Sequence, residues 1–204
     1  MAFLFVHIPK TAGTSIVQSM NTKIRRMRLV GHKRILEKSS DRIDRHQMSV
    51  WSKFGNTIHR YRSFAVVRHP YTRFLSAYRY LSDMKRRGID HEAGAIIRSY
   101  PNINAFIKHL PHHMERIVHF LPQHVFICKD ETIIINHVLR FEDLPGCLSI
   151  IHPNIPLCHV NRSDWRQYNL QLTRESIGIL QQCYQKDFDI LGYDRNDFSS
   201  ITVR

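Results

Sequence analysis

Phe5-Val6-His7-Ile8-Pro9-Lys10-Thr11-Ala12-Gly13-Thr14-Ser15 is the stretch whose reading decides the fold. Leu4 to Val6 is an apolar run that suits the end of a buried strand. Pro9 breaks it, and Lys10 opens a short run of small and hydroxyl residues around one glycine. Beyond Ser15, Ile16, Met20 and Ile24 recur at the i, i+4, i+8 spacing of a helix face. Strand, tight basic loop and helix together build an anion site. Backbone N–H groups of the loop and the helix N-terminus converge, and small side chains let a phosphate approach closely. Lys10 adds a mobile full charge, and Thr11, Thr14 and Ser15 add hydroxyl donors. The loop does not fit the Walker A pattern. Lys10 precedes its only glycine, and Gly13 stands before Thr14 where that pattern has Lys.

A second segment has the same logic. Phe64-Ala65-Val66-Val67 is a partly β-branched apolar run that suits a buried strand of a parallel sheet. It ends at Arg68-His69-Pro70, and Tyr71, Phe74, Leu75, Tyr78 and Leu81 then follow a helical pattern. Pro70 suits the first helical turn, where its missing N–H costs nothing. Arg68 therefore belongs at the carboxyl edge of a strand, where open α/β sheets bind ligands. Its guanidinium can fork onto a phosphate, and Ser76 on the following helix can add a hydroxyl. A scaffold reading also stands for Arg68, as the partner of a carboxylate at a strand end.

The two segments resemble, in order, the 5′-phosphosulfate loop and the 3′-phosphate motif of sulfotransferases that use 3′-phosphoadenosine-5′-phosphosulfate (PAPS). The wording His7-Ile8-Pro9-Lys10-Thr11-Ala12-Gly13-Thr14-Ser15 is similar to the carbohydrate branch, the heparan sulfate 2-O- and chondroitin-type enzymes of sulfotransferase family 2. Pro122 to Ile127 and Val138 to Leu144 resemble the late strand pair of that family. His159 to Ser163 and Tyr184 to Tyr193 resemble its closing part.

The resemblance implies a P-loop-kinase-like α/β fold and in-line sulfuryl transfer from PAPS to a hydroxyl of a carbohydrate or related acceptor, with no metal required. Lys10 would stabilise the departing phosphate, and Thr11, Ala12, Gly13, Thr14 and Ser15 would hold its oxygens. Arg68 and Ser76 would hold the 3′-phosphate. The acceptor hydroxyl needs a general base, for which His suits neutral pH. His46 is the first candidate, because it leads Gln47-Met48-Ser49-Val50-Trp51-Ser52-Lys53-Phe54-Gly55, a segment similar to the one that carries the base in the carbohydrate branch. Val50 stands there where the family usually has Ala. His32 is the second candidate.

Composition agrees with an anionic partner. The 204 residues carry 30 Lys and Arg against 17 Asp and Glu, a net charge of +13. A nucleotide kinase of similar fold is the competing enzyme reading, and a basic nucleic-acid-binding protein the non-enzymatic one. The first lacks a Walker A Lys, and no RNA-binding or zinc-finger signature accompanies the charge. Cys128, Cys147, Cys158 and Cys183 show no C-x-x-C spacing and read as reduced buried thiols. No apolar run is long enough to span a bilayer. No signal peptide fits before Pro9. The expected location is therefore the cytoplasm, as in a compact bacterial member, with a trimmed luminal catalytic domain as the alternative.

The pattern predicts a single domain over 1–204, α/β, with a central parallel sheet flanked by helices. Strands are expected at 2–7, 63–67, 124–128 and 134–140, and helices at 14–26, near 46–54, over 71–86 and in pieces between 91 and 119. A final helix capped by Thr173 buries Ile177, Leu180, Tyr184, Phe188 and Leu191 and stops at Gly192. Acceptor contacts are expected within 27–60 and 88–120.

Overall fold

Leu4, Phe5 and Val6 have no solvent exposure, and neither do Phe64, Ala65 and Val66. Side chains that alternate between two faces are buried together only when both faces of the sheet are covered. In the computed structural model these runs are neighbouring parallel strands. The structure describes residues 2–21, 27–31, 49–83, 89–144, 146–151 and 170–203.

In chain order the elements begin with β1 (Ala2–His7), α1 (Gly13–Asn21), β2 (Met27–Gly31), α2 (Val50–Phe54), β3 (Tyr61–Val67) and α3 (Pro70–Ser82). Then come α4 (Ile89–Arg98), α5 (Ile103–Lys108), α6 (Leu110–His113), α7 (His124–Ile127), β4 (Cys128–Lys129), β5 (Thr132–Ile133) and β6 (His137–Arg140). The last elements are β7 (Gln171–Leu172), α8 (Arg174–Cys183), α9 (Gln185–Leu191) and β8 (Thr202–Val203). The described residues fall into two compact units, one within Met1–His69 and Gln123–Arg162, the other within Pro70–Pro122 and Ser163–Arg204.

The first unit holds a four-stranded sheet in the order β2-β1-β3-β6, parallel throughout. This is the α/β fold with a central parallel sheet that the alternating pattern predicts. Phe5 stands opposite Phe64 in register, with ring centroids 4.9 Å apart. Ile16 and Met20 of α1 pack on that face with Val66, Leu139, Leu148 and Ile151. The helical spacing of the sequence thus becomes the packing face of the first crossover. Because β2 lies on one side of β1 and β3 on the other, the order reverses between β1 and β3. A crevice opens at the carboxyl ends of strands at such a point.

The second unit is built on α3, which begins at Pro70, one residue before the expected 71–86, ends at Ser82, and buries Tyr71, Phe74, Leu75 and Leu81. Phe74, Phe106 and Phe120 form an aromatic cluster, with centroids 5.3 Å apart for Phe74 and Phe120. Fully buried Arg73 donates to the carbonyls of His119 (3.1 Å) and Leu121 (2.6 Å), and the Tyr184 hydroxyl donates to the carbonyl of Phe120 (2.9 Å). Thr173 caps α8 by accepting from the Ser176 N–H. The five predicted apolar positions of the final helix are all buried, but the helix is broken at Tyr184 into α8 and α9. Gly192, at φ 65°, ends α9 in the left-handed conformation that glycine adopts freely.

The expected strand at 124–128 is corrected. His124–Ile127 is a single helical turn, in which the Phe126 N–H bonds the Gln123 carbonyl. A four-residue apolar run does not by itself distinguish a buried strand from a buried turn. Cys128–Lys129 and Thr132–Ile133 then form a small antiparallel hairpin. Its two central residues, Asp130 and Glu131, both have positive φ, the signature of a type I′ turn without the usual glycine. The expected strand 134–140 shortens to β6, because Asn136 instead bonds Ser63, accepting from its N–H at 2.8 Å.

Candidate active site

Both charged motifs leave the sheet at the carboxyl ends of β1 and β3. The first loop is held by its own side chains. Thr11 is fully buried, and its hydroxyl donates to the Ile8 carbonyl at 3.0 Å. That proton is spent within the loop, so the Thr11 hydroxyl holds the loop in shape rather than facing a ligand as expected. Ala12 closes the loop by accepting the first helical hydrogen bond, from the Ile16 N–H at 3.0 Å.

The backbone of this loop is unusual for its residue types. Lys10 has φ 69° and Ala12 has φ 65°, whereas Thr11 and Gly13 do not have positive φ. A left-handed conformation costs a side-chain-bearing residue roughly 1–2 kcal/mol, so two within three residues are held there by their surroundings. Alternating signs of φ turn successive N–H groups toward one point, the anion-binding concavity called a nest. The first-turn N–H groups of α1, at Gly13, Thr14 and Ser15, extend it, since they have no acceptors within the helix. Lys10 and Thr14 are half-exposed, and Ser15 is buried.

Gly13 has a reason that the sequence alone does not reveal. A Cβ at this position would lie 1.8 Å from Cδ2 and 1.9 Å from Nε2 of His7. The His7 ring is itself buried and sits 5.9 Å from the ring of Phe5. The imidazole therefore fills the space beneath the start of α1, and only a glycine leaves room for it.

The second motif meets the first. Nη1 of Arg68 donates to the Lys10 carbonyl at 3.4 Å, although the two residues lie 58 positions apart. The Arg68 guanidinium carbon stands 4.2 Å from the Phe141 ring centroid, in cation–π contact. Gln123, fully buried, brackets the Arg68 backbone: it accepts from its N–H at 2.9 Å and donates to its carbonyl at 2.8 Å. Glu142 accepts the next N–H, that of His69, at 2.7 Å. Lys10, Thr11, Ala12, Gly13, Thr14, Ser15 and Arg68 are thus gathered at one crevice of the first unit.

Ser76 is buried on α3 of the second unit. His46 and His32 lie outside the described residues, as do His159 to Ser163. Gln123, Phe141 and the part played by His7 were not anticipated. Nothing in a sequence says that a lone Gln is fully buried against a backbone fifty-five positions away. Among the described residues no group of three or more His, Cys, Asp or Glu could hold a metal ion, and no helix is long and apolar enough to cross a membrane. Cys128, Cys147 and Cys183 do not bridge one another and are only partly buried.

A model of the sulfotransferase family matches residues 2–194. The chain belongs to the sulfotransferase family. It is therefore an enzyme of sulfuryl transfer, and its parallel α/β sheet is consistent with the sulfotransferase fold. Comparison with curated proteins gives no match, and neither does comparison with solved structures. In a sulfotransferase the work of the protein is to hold an anionic donor, align an acceptor and neutralise charge on the leaving oxygen. A nest, a helix N-terminus and two cations beside one crevice are suited to the first and third of these tasks.

Proposed function

We propose that this sulfotransferase uses PAPS and transfers its sulfuryl group to a hydroxyl of a carbohydrate or related acceptor, with 1–204 acting as one domain. The observation that carries the reading is the 3.4 Å contact between Arg68 Nη1 and the Lys10 carbonyl. It brings a phosphate fork to the rim of an anion nest, as a donor with phosphates at both its 5′ and 3′ positions requires. The family match runs through both compact units, which supports treating them as one functional domain.

Each residue then has a task. The N–H groups from Lys10 to Ser15 hold the 5′ phosphosulfate, and Lys10 stabilises charge on the phosphate oxygen that departs. Arg68, with Ser76, holds the 3′-phosphate. The acceptor oxygen attacks sulfur as the bond from sulfur to the phosphate oxygen breaks. The hydroxyl proton passes to a base, His46 in this reading and His32 as the second choice. PAPS supplies the activated sulfuryl group, and no metal takes part in the scheme.

Release of 3′-phosphoadenosine-5′-phosphate (PAP) from PAPS, followed with and without a panel of glycans, tests this function. We expect release that depends on a hydroxylated acceptor and deposits sulfate on it. PAPS left intact with every acceptor would contradict the proposal.

A further inference from the structure

We propose that Gln123 is a positioning residue for 3′-phosphate recognition, acting through the backbone of Arg68. The inference rests on the reading of Arg68 as the 3′-phosphate ligand. The sheet stops one residue short of Arg68: the last paired position of β3 is Val67, opposite Arg140 of β6. Arg68 lies just beyond that last pair, where the regular ladder ends. An unpaired buried backbone group is costly, so a partner must come from elsewhere.

Gln123 supplies it with both ends of one amide. Its Oε1 accepts from the Arg68 N–H at 2.9 Å, and its Nε2 donates to the Arg68 carbonyl at 2.8 Å. A side-chain amide that accepts and donates in this way imitates the peptide group of a neighbouring strand. The ladder is in effect prolonged by one residue, and that residue is the one bearing the guanidinium. Gln123 has no solvent exposure, so the clamp does not compete with water. It is anchored in turn where its own carbonyl accepts the Phe126 N–H at 3.1 Å, the bond that begins α7.

With its backbone fixed, Arg68 reaches the rim of the loop through side-chain torsions alone. Phe141 at 4.2 Å and the Lys10 carbonyl at 3.4 Å then limit where the guanidinium sits. Gln123 touches no ligand in this scheme. Removing it should blur the placement of Arg68 and leave the 5′ side of the site as it is.

The test compares PAP and ADP, which differ in the 3′-phosphate and in the number of 5′ phosphates, by calorimetric titration of the full chain. Gln123→Met keeps the length and removes both hydrogen bonds, and is examined alone and combined with Arg68→Ala. PAP affinity should fall roughly tenfold or more, which corresponds to about 1.4 kcal/mol. ADP affinity should fall by less than about threefold, and in the Arg68→Ala background the substitution should change PAP affinity by less than about twofold. Parallel loss of PAP and ADP, an equal loss without Arg68, or unchanged PAP affinity would each overturn the positioning role. If Gln123→Met does not fold, Gln123→Glu carries the same comparison. It keeps the acceptor for the Arg68 N–H and is expected to lose part of the preference. Absence of any PAP preference in the unmodified protein would remove the Arg68 reading itself, whereas a preference that Gln123 variants leave intact overturns only this inference.

Discussion

Gly13→Ala should destabilise the protein, because His7 already occupies the space a methyl group would need. Gly13 starts α1 and its φ is not positive, so the backbone itself would accept alanine. By chain entropy alone such a change would stabilise by about 0.4–1 kcal/mol. The packing term has the opposite sign. The new Cβ would fall 1.8 Å from a buried imidazole, and relieving it means moving His7 against Phe5 or lifting the start of the helix. Overpacking of this kind costs typically 1–3 kcal/mol, so a net loss of roughly 1–2 kcal/mol is expected. In a chain of this size that lowers the melting temperature by about 2–8 °C. Urea and thermal unfolding measure it, in a cycle with His7→Ala. In the His7→Ala background Gly13→Ala should become neutral or stabilising. An equal destabilisation in both backgrounds would refute the steric argument, as would full stability of the single variant.

Lys10→Ala should lower turnover by roughly 10²–10³-fold while reducing PAP affinity much less, since its charge matters most as the leaving oxygen becomes negative; steady-state kinetics with calorimetry separates the two. His46→Ala should cut turnover by about 10²–10⁴-fold and remove the acidic limb of the rate–pH profile, with PAP affinity retained. A large loss in His32→Ala with His46→Ala nearly silent would transfer the role of base to His32. Alkali should weaken the fold: burial raises the Cys183 thiol from its usual 9.0 to about 11 and pushes the Tyr184 and Tyr71 hydroxyls up from 10.0. The folded state then holds protons that the unfolded chain releases, so stability is intact below about pH 9 and falls as pH rises through 9–11; a urea midpoint independent of pH over that range would contradict this.

The parts of the fold that were legible in the sequence are those set by short-range pattern. Leu4 to Val6 and Phe64 to Val67 announced buried parallel strands, and Ile16 and Met20 the helix that covers them. Pro70 and Thr173 marked helix starts by chemistry local to each. The misreadings lie where tertiary contacts decide. The run after Gln123 folds as a helical turn and not as a strand, and the final helix breaks at Tyr184 with Phe188 and Leu191 still buried beyond the break. In the site, the charged residues were visible because loop chemistry is local. The sequence pointed to a glycine in the loop, but a packed imidazole is what excludes any other residue at Gly13. The clamp of Gln123 on Arg68 joins positions too distant for any periodicity to connect.

The central claim is that Arg68 beside the Lys10 loop reads a 3′-phosphate, and parallel calorimetric titrations of the full chain with PAP and ADP test it most directly. One charge-assisted contact of this kind is worth roughly 1.5–3 kcal/mol, and 1.4 kcal/mol is a factor of ten. The account predicts that PAP binds at least about tenfold more tightly than ADP, and that Arg68→Ala erases most of the difference. Equal affinities of the unmodified protein for the two nucleotides would contradict it.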